Sequence, residues 1–404
     1  MQAHGQSQLV ALSRLRAKRY GEARRGIPPA GTVMNVADFD FELPEELIAQ
    51  DPPAERGGSR LLVLNRGTGN VEDAMFANVG RYLRAGDLLV LNNTRVFPAR
   101  LIGRRDPSGG EVECLLIKKL PTSNPQPPSE AQKELFGCWE LAIGSSEEWE
   151  ALMHPGQKLK PGARVLFEGD GVTLRGEVLA AHYYGRRTIR LWTDAGVDVQ
   201  AAIERLGHIP LPPYIKREDR VSDRERYQTV YARDRGSVAA PTAGLHFTAA
   251  ALADLGARGV EVAEITLHVG YGTFKPVRSD TVEEHSVDAE TFTVSPDAAV
   301  ALTQALSDQR RIIAVGTTTT RALESLTIDA ARVLPAAGQT ELFITPGHSF
   351  RLVSGMITNF HLPRSSLMML VAAFAGREHA LAAYRHAVAA KYRFYSYGDA
   401  MLIV

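Results

Sequence analysis

Two rhythms of apolar positions run along the chain. Arg60-Leu61-Leu62-Val63-Leu64 is a short apolar run closed by the turn signal Gly67-Thr68-Gly69-Asn70, and it predicts a strand. Asp87-Leu88-Leu89-Val90-Leu91 is apolar without alternation, which predicts a strand buried on both faces. Ahead of these, Pro44 before Glu45-Glu46-Leu47-Ile48 predicts a short helix with proline in its first turn. From about 210 onward, helical and strand patterns alternate. Thr248 caps a helix over 249–255 that Gly256 stops. Ser295-Pro296-Asp297 places cap, first-turn proline and acid in order for a helix reaching about 309. Strands are expected at 260–269, 311–315, 341–344 and 352–357. Further helices are expected at 317–326, 366–374 and 378–391, the last two closing the chain. Such alternation predicts an α/β layer domain.

The texture between 98 and 194 differs. Six strand-like runs, 99–105, 111–118, 137–143, 164–167, 172–180 and 186–192, follow one another with turn residues between them. That spacing predicts a small barrel or sandwich inserted into the α/β domain. Residues 121–130 are rich in Pro, Ser and Asn and predict a mobile loop on it. The chain thus divides into a basic tail at 1–33, a discontinuous α/β domain at 34–97 and 195–404, and the insert at 98–194. The tail carries Arg14, Arg16, Lys18, Arg19, Arg24 and Arg25 without the apolar segment of a signal peptide. It reads as a disordered tail, as an upstream start ahead of Met34, or as an arm that touches RNA.

Composition narrows the class. The 404 residues are 45% hydrophobic and 23% charged, with 46 Lys+Arg against 46 Asp+Glu. Zero net charge argues against a protein that coats nucleic acid by charge alone, and leaves room for local basic patches. Two cysteines, Cys114 and Cys138, read as reduced thiols of the cytoplasm. No apolar run is long enough to span a bilayer, and no metal-ligand spacing is present.

Candidate chemistry lies in five loops. Ala239-Ala240-Pro241-Thr242-Ala243-Gly244-Leu245-His246-Phe247 sits between a short strand and a helix, where small residues admit a ligand to the backbone. Thr266-Leu267-His268-Val269-Gly270-Tyr271-Gly272-Thr273-Phe274 ends a strand, where α/β folds place ligands; it lacks the third glycine of a dinucleotide fingerprint. Val315-Gly316-Thr317-Thr318-Thr319-Thr320-Arg321 is strand, tight loop and helix, suited to a carboxylate, ribose or phosphate, and is not a P-loop. Thr358-Asn359-Phe360-His361-Leu362-Pro363 and Asn92-Asn93-Thr94-Arg95 also follow strands. Each is equally readable as a tight turn with a structural histidine or amide. Basic clusters lie at 214–235, with Tyr227 and Tyr231 between the arginines, and at Arg104-Arg105, Lys118-Lys119 and Arg186-Arg187. They suit a folded RNA or a solvated face.

Over about 34–404 these residues resemble the S-adenosylmethionine:tRNA ribosyltransferase-isomerase family of queuosine biosynthesis. The resemblance rests on Asp40-Phe41-Glu42-Leu43-Pro44-Glu45-Glu46-Leu47-Ile48-Ala49-Gln50, Gly86–Val96, Tyr227-Gln228-Thr229-Val230-Tyr231, the run ending at Phe247, the loops at 268–274 and 358–363, and Tyr392-Arg393-Phe394-Tyr395-Ser396-Tyr397-Gly398-Asp399-Ala400. It implies an α/β part, layered or barrel-like, with an inserted small β-barrel. It implies that 7-aminomethyl-7-deazaguanine at the tRNA wobble position receives the ribosyl portion of S-adenosylmethionine, giving epoxyqueuosine-tRNA, adenine and methionine. S-adenosylmethionine is then a co-substrate, the anticodon loop of tRNA is the partner, and the expected enzyme is a cytoplasmic monomer without metal.

That reaction needs proton transfers near neutral pH. His246, His268, His285 and His361 lie in the matched segments and, with Glu290, are the expected catalytic set. Arg95, Arg321 and Asn359 are expected to hold carboxylate, phosphate or ribose groups. Asn92, Asn93, Thr242, Gly244, Gly270, Gly272, Thr273, Gly316, Thr317 and Thr318 complete the expected substrate contacts. The other histidines read as surface or structural. One departure stands out: relatives often carry a second histidine in the segment His285-Ser286-Val287-Asp288-Ala289-Glu290, where this chain has Asp288. Extra threonine at 317–320 is a milder one. A non-catalytic tRNA-binding protein, an inactive family member and a methyltransferase are the alternative readings.

Overall fold

The computed structural model describes residues 33–121, 146–193, 197–274 and 277–404. Its strands in chain order are β1 (Arg60–Leu64), β2 (Val71–Met75), β3 (Leu88–Asn92), β4 (Thr94–Val96), β5 (Arg100–Asp106), β6 (Glu111–Lys119), β7 (Ser146–His154), β8 (Arg164–Gly169), β9 (Val172–Ala181), β10 (Arg186–Thr193), β11 (Asp234–Ser237), β12 (Glu261–His268), β13 (Glu290–Val294), β14 (Ile312–Val315), β15 (Ile328–Asp329), β16 (Arg332–Val333), β17 (Ala336–Thr340), β18 (Gly355–Asn359) and β19 (Ala400–Ile403). The helices are α1 (Val199–Leu206), α2 (Asp223–Arg226), α3 (Ala249–Ala257), α4 (Pro296–Ser307), α5 (Thr317–Glu324), α6 (Ser366–Ala375) and α7 (Arg377–Ala389).

Nine strands form one open sheet in the order β17-β13-β12-β3-β14-β18-β19-β1-β2, so the α/β part is layered and not a barrel. Its centre, β12-β3-β14-β18, is parallel. The unbroken apolar runs follow from this placement. Leu88 and Val90 face a core built with α4, α5, α6 and α7, while Leu89 and Leu91 face a second core built with α3 and the 3-10 turn Phe76–Arg81. A strand covered on both faces favours apolar side chains at successive positions. Two helix starts are held as sequence predicts, the Thr248 and Ser295 hydroxyls accepting the amides of Ala251 and Ala298, and a third cap, at Ser365, accepts the Met368 amide. Pro44 stands just before the short 3-10 turn Glu45–Leu47, outside its first turn.

Six strands close the barrel in the order β10-β7-β6-β5-β8-β9. Its interior holds Leu101, Cys114, Trp149, Phe167, Leu174 and Ile189 among others. Gly176 is forced by this packing, because a Cβ there would stand 2.8 Å from Ile189 and 2.9 Å from Val165. Helix α1 lies beyond 194, yet its apolar residues Val199, Ala202 and Ile203 belong to the barrel core.

Several expectations need correction. β7 was missed, because Glu147, Glu148 and Glu150 disguise a strand whose residues alternate between buried and half-buried. The strand expected at 341–344 does not form; β17 pairs with β13 instead, and both of these, with β2, were unforeseen. The strand expected at 352–357 lies slightly later, at Gly355–Asn359. The chain does not close on helices: β19 inserts between β18 and β1, parallel to β1. The strand expected at 137–143 and most of the loop at 121–130 lie outside the described residues, as does the basic tail up to 32.

The inserted last strand makes a direct prediction. Leu402, fully buried in β19, loses its side-chain packing on change to Ala. Leu402→Ala should lower unfolding free energy by about 2–5 kcal/mol. Val300→Ala, on the exposed face of α4, should shift it by less than about 0.5 kcal/mol. Urea denaturation of both variants measures the contrast, and equal effects would contradict the placement of β19.

Candidate active site

A cleft of about 1560 Å³ opens between the barrel and the large sheet. Its sheet-side wall includes Gly270, Gly272, Thr273, His285, Glu290 and Arg321, and its barrel-side wall includes His154, His182, Tyr184 and Arg186. The centre of the wall is an ion pair. Glu290 opens β13 with its side chain inward, and Arg321 reaches it from α5. Arg321 Nη1 donates to Glu290 Oε2 at 2.6 Å, with the two side chains 7% and 3% exposed. Glu290 Oε1 accepts from the Gly270 amide at 3.2 Å and the Thr273 hydroxyl at 2.8 Å. Arg321 Nε donates to the Leu342 carbonyl at 2.9 Å. Arg321 Nη2 is buried and has no hydrogen-bond partner among the described residues.

His285 packs edge-on against Phe343 with ring centres 5.1 Å apart. Burial pushes its pKa below the ordinary 6.5, because desolvation penalises the imidazolium. Its neighbour Asp288 meets Arg186 of β10 across the cleft at 3.2 Å. Gly272 is required there, since a Cβ on it would fall on the Asp288 carboxylate.

The remaining expected residues lie away from this wall, and the four histidines do not converge. His246 and Asn359 form a second cluster at the carboxyl end of β18. Asn359 Nδ2 donates to the Tyr395 carbonyl at 3.0 Å and to His246 Nε2 at 3.2 Å. Nδ1–H of His246 is thereby left to donate to Ser59 Oγ at 2.7 Å. Burial lowers the His246 pKa to about 4. A small pocket beside it is lined by Arg56, His246 and Tyr397. The Asn359 side-chain oxygen is buried and has no partner among the described residues. His361 contacts Thr358 Oγ1 at 2.9 Å, and burial lowers its pKa to about 3. His268 pairs with Thr94 Oγ1 at 2.8 Å and packs over Gly236; burial lowers its pKa too.

Other expected contacts have structural employment. Asn92 accepts the amides of Thr94 and Leu267 and donates to the Leu267 carbonyl, while Asn93 bonds Glu264 and Thr266. Both amides therefore clamp β3 to β12. Gly244 admits Tyr231, whose hydroxyl occupies the space of a Cβ; Thr242 begins the 3-10 turn leading to it. Gly316 has φ +99°, which lets the chain turn sharply from β14 into α5, and Thr317 and Thr318 are buried in the first turn. Arg95 is exposed.

Charge at 214–235 is also used internally. Arg217 pairs with Asp223, Arg224 donates to the Gly207 and Glu204 carbonyls, and Arg226 donates to the Pro53 and Ala54 carbonyls. Tyr227 is fully buried. Sequence reading missed that His154 and His182, taken as surface or structural, line the cleft. Both stand at the ends of barrel strands, and only the closure of the barrel shows which strand ends face the sheet.

Comparison with known proteins agrees with the resemblance carried by the motifs. The model of a family described as queuosine biosynthesis protein matches residues 36–403. A Desulfitobacterium hafniense protein named S-adenosylmethionine:tRNA ribosyltransferase-isomerase is 47% identical over 371 residues, which is 92% of this chain and 100% of that protein. A Solibacter usitatus protein of the same name is 48% identical over 376 residues, with the same coverage. The crystal structure of S-adenosylmethionine tRNA ribosyltransferase from Thermotoga maritima is 35% identical, covers 91% of this chain and 100% of its own, and has a TM-score of 0.48. The family match spans nearly every described residue, and the chain belongs to the queuosine biosynthesis protein family.

Proposed function

We propose that this chain moves the ribosyl portion of S-adenosylmethionine onto 7-aminomethyl-7-deazaguanine at the wobble position of tRNA, in the cleft walled by Glu290 and Arg321. The product is epoxyqueuosine-tRNA, with adenine and methionine released. Family membership and the name shared by the relatives support an S-adenosylmethionine:tRNA ribosyltransferase-isomerase with both substrates. The observation that carries the site is the free Nη2 of Arg321, a buried cationic donor at the cleft wall with no acceptor among the described residues. Such a donor is costly to leave unpaired, and an anionic or ribosyl oxygen of the donor substrate satisfies it.

Residue roles follow from this placement. The sulfonium acidifies the adjacent carbon, so a neutral imidazole on the cleft wall is placed to take a proton. His285 is that group, its neutral form favoured by burial. Glu290 holds Arg321 and the Gly270–Thr273 loop in position. Asn359, whose amide nitrogen fixes His246 as one tautomer and whose side-chain oxygen is left without a partner among the described residues, is a hydrogen-bonding group for a second part of the ligand, with His268 and His361 on the same edge of the sheet. The α/β part handles the donor, and the inserted unit at 98–194, completed by α1, takes the tRNA. The reading requires no metal, and it places a monomer in the cytoplasm.

Nucleoside mass analysis after incubation with S-adenosylmethionine and tRNA carrying the aminomethyl base tests the reaction. A nucleoside gaining the epoxycyclopentanediol group, with free adenine and methionine, is expected; tRNA binding without product would sink the reading. Arg321→Lys keeps the charge and loses the planar fork. Losing one charge-assisted hydrogen bond of about 1.5–3 kcal/mol should lower kcat/KM for S-adenosylmethionine by about 10- to 150-fold, with the fold retained by circular dichroism.

The pH profile gives a separate check. The lowered pKa makes the neutral form of His285 predominate at pH 6.5 and above, and protonation on acidification removes the base. The profile of kcat/KM should therefore show an acidic limb with an apparent pKa below 6.5. His285→Gln should lower the rate by about 10²–10⁴-fold and abolish that limb. An unchanged limb in the variant would remove His285 from the proton transfer.

A further inference from the structure

The turn joining β9 to β10 is built unlike an ordinary hairpin tip. Tyr183 and Tyr184 stand 87% and 91% exposed, side by side. Tyr184 adopts φ 55° and ψ 37°, a left-handed conformation in which bulky residues are uncommon and which Gly or Asn adopts more readily. The tip is nonetheless rigidly supported. The His182 amide donates to the Arg186 carbonyl at 2.9 Å, closing the turn. Beneath it, the buried Arg187 guanidinium donates to the carbonyls of Leu159, His182, Arg186 and Gly156. The turn thus rests on the neighbouring 3-10 turn Gly156–Lys158, which carries the exposed cation Lys158. His182, Tyr184 and Arg186 line the rim of the cleft.

An exposed aromatic pair on a fixed, strained turn serves no purpose in folding: the rings bury no surface and the backbone conformation costs free energy. Resting on the tRNA reading above, we propose that Tyr183 and Tyr184 form a stacking platform for the unpaired bases that flank the modified base in the anticodon loop. A wobble base drawn into the cleft leaves its neighbours without a stacking partner, and every base presents a π-face to a tyrosine ring. The exposed Lys158 on the adjoining turn suits a neighbouring phosphate. The basic segment at 214–235, by contrast, has its central tyrosine buried and most of its arginines tied to carbonyls and carboxylates within the chain.

The test pairs tRNA binding with turnover in the full-length protein. Tyr183→Ala/Tyr184→Ala should weaken the Kd for tRNA, measured without S-adenosylmethionine, and raise its KM by about 10- to 100-fold. The KM for S-adenosylmethionine and kcat at saturating tRNA should stay as in the parent protein. Tyr184→Phe in the otherwise unchanged chain should bind tRNA like the parent, because stacking needs the ring and not the hydroxyl. Unaltered tRNA affinity in the double variant overturns the platform. So does a raised KM confined to S-adenosylmethionine, which would place the ring against the donor's adenine. A parent protein that binds tRNA through these rings but forms no product upholds the platform and overturns only the catalytic reading.

Discussion

The buried pair of Glu290 and Arg321 governs the geometry of the cleft. Taking two charges out of water costs several kcal/mol each, which mutual attraction offsets only when the remaining donors and acceptors are satisfied. Here the carboxylate is satisfied, by the guanidinium, the Gly270 amide and the Thr273 hydroxyl. One guanidinium nitrogen is not. The pair ties the start of β13 to α5 and folds the Gly270–Thr273 loop over the carboxylate. Removing either partner would leave the other charge buried and uncompensated, at a cost of about 3–5 kcal/mol. Its open valence is therefore a property of the fold, available to whatever oxygen enters the cleft.

The large sheet supplies the rest of the setting. Its four central parallel strands end on one edge, and His268, Asn92, Gly316 and Asn359 are the residues found there. Backbone groups that leave a parallel sheet at its carboxyl edge have no further strand to pair with, which makes this edge the natural place for polar side chains and ligands. Burial lowers the pKa of every histidine in this region that was expected to act, with His246 down at about 4 and His361 at about 3. Imidazoles held neutral in this way act as hydrogen-bonding groups or bases, and imidazolium acids are disfavoured among them.

Local signals in the sequence were reliable where the cause was local. Unbroken apolar runs marked β1 and β3, and Ser295-Pro296-Asp297 marked the start of α4, because burial on both faces and capping are written in neighbouring residues. They failed where pairing across the chain decides. β19 is four residues near the end of the sequence, and only the gap between β18 and β1 makes it an interior strand. The site shows the same division. Glycine, threonine and histidine at strand ends marked the loops, since those residue types serve tight turns and polar contacts. Which loops share a cleft was not legible: His285, Glu290 and Arg321 line one cleft, while Asn92 and Asn93 clamp strands together. The tyrosines at 227 and 231 looked like an RNA surface until packing showed them turned inward, with the exposed pair on the barrel instead.

Asp288 stands where the barrel meets the segment that carries His285 and Glu290. A histidine there would present an imidazole that can both accept and donate. Asp288 instead presents a carboxylate to Arg186, and Arg186 is paired with Glu150 of the barrel as well. With side-chain exposures of 34% and 40%, the Arg186–Asp288 bridge is worth about 0–1 kcal/mol, too little to hold the barrel against the sheet by itself. It joins the first residue of β10 to the segment carrying His285 and Glu290 across the cleft. Gly272 completes the arrangement, because only a residue without Cβ leaves room for the carboxylate. These contacts lie beside the buried Glu290–Arg321 pair without entering it, and the cleft presents a fixed carboxylate and a free guanidinium donor next to Asp288.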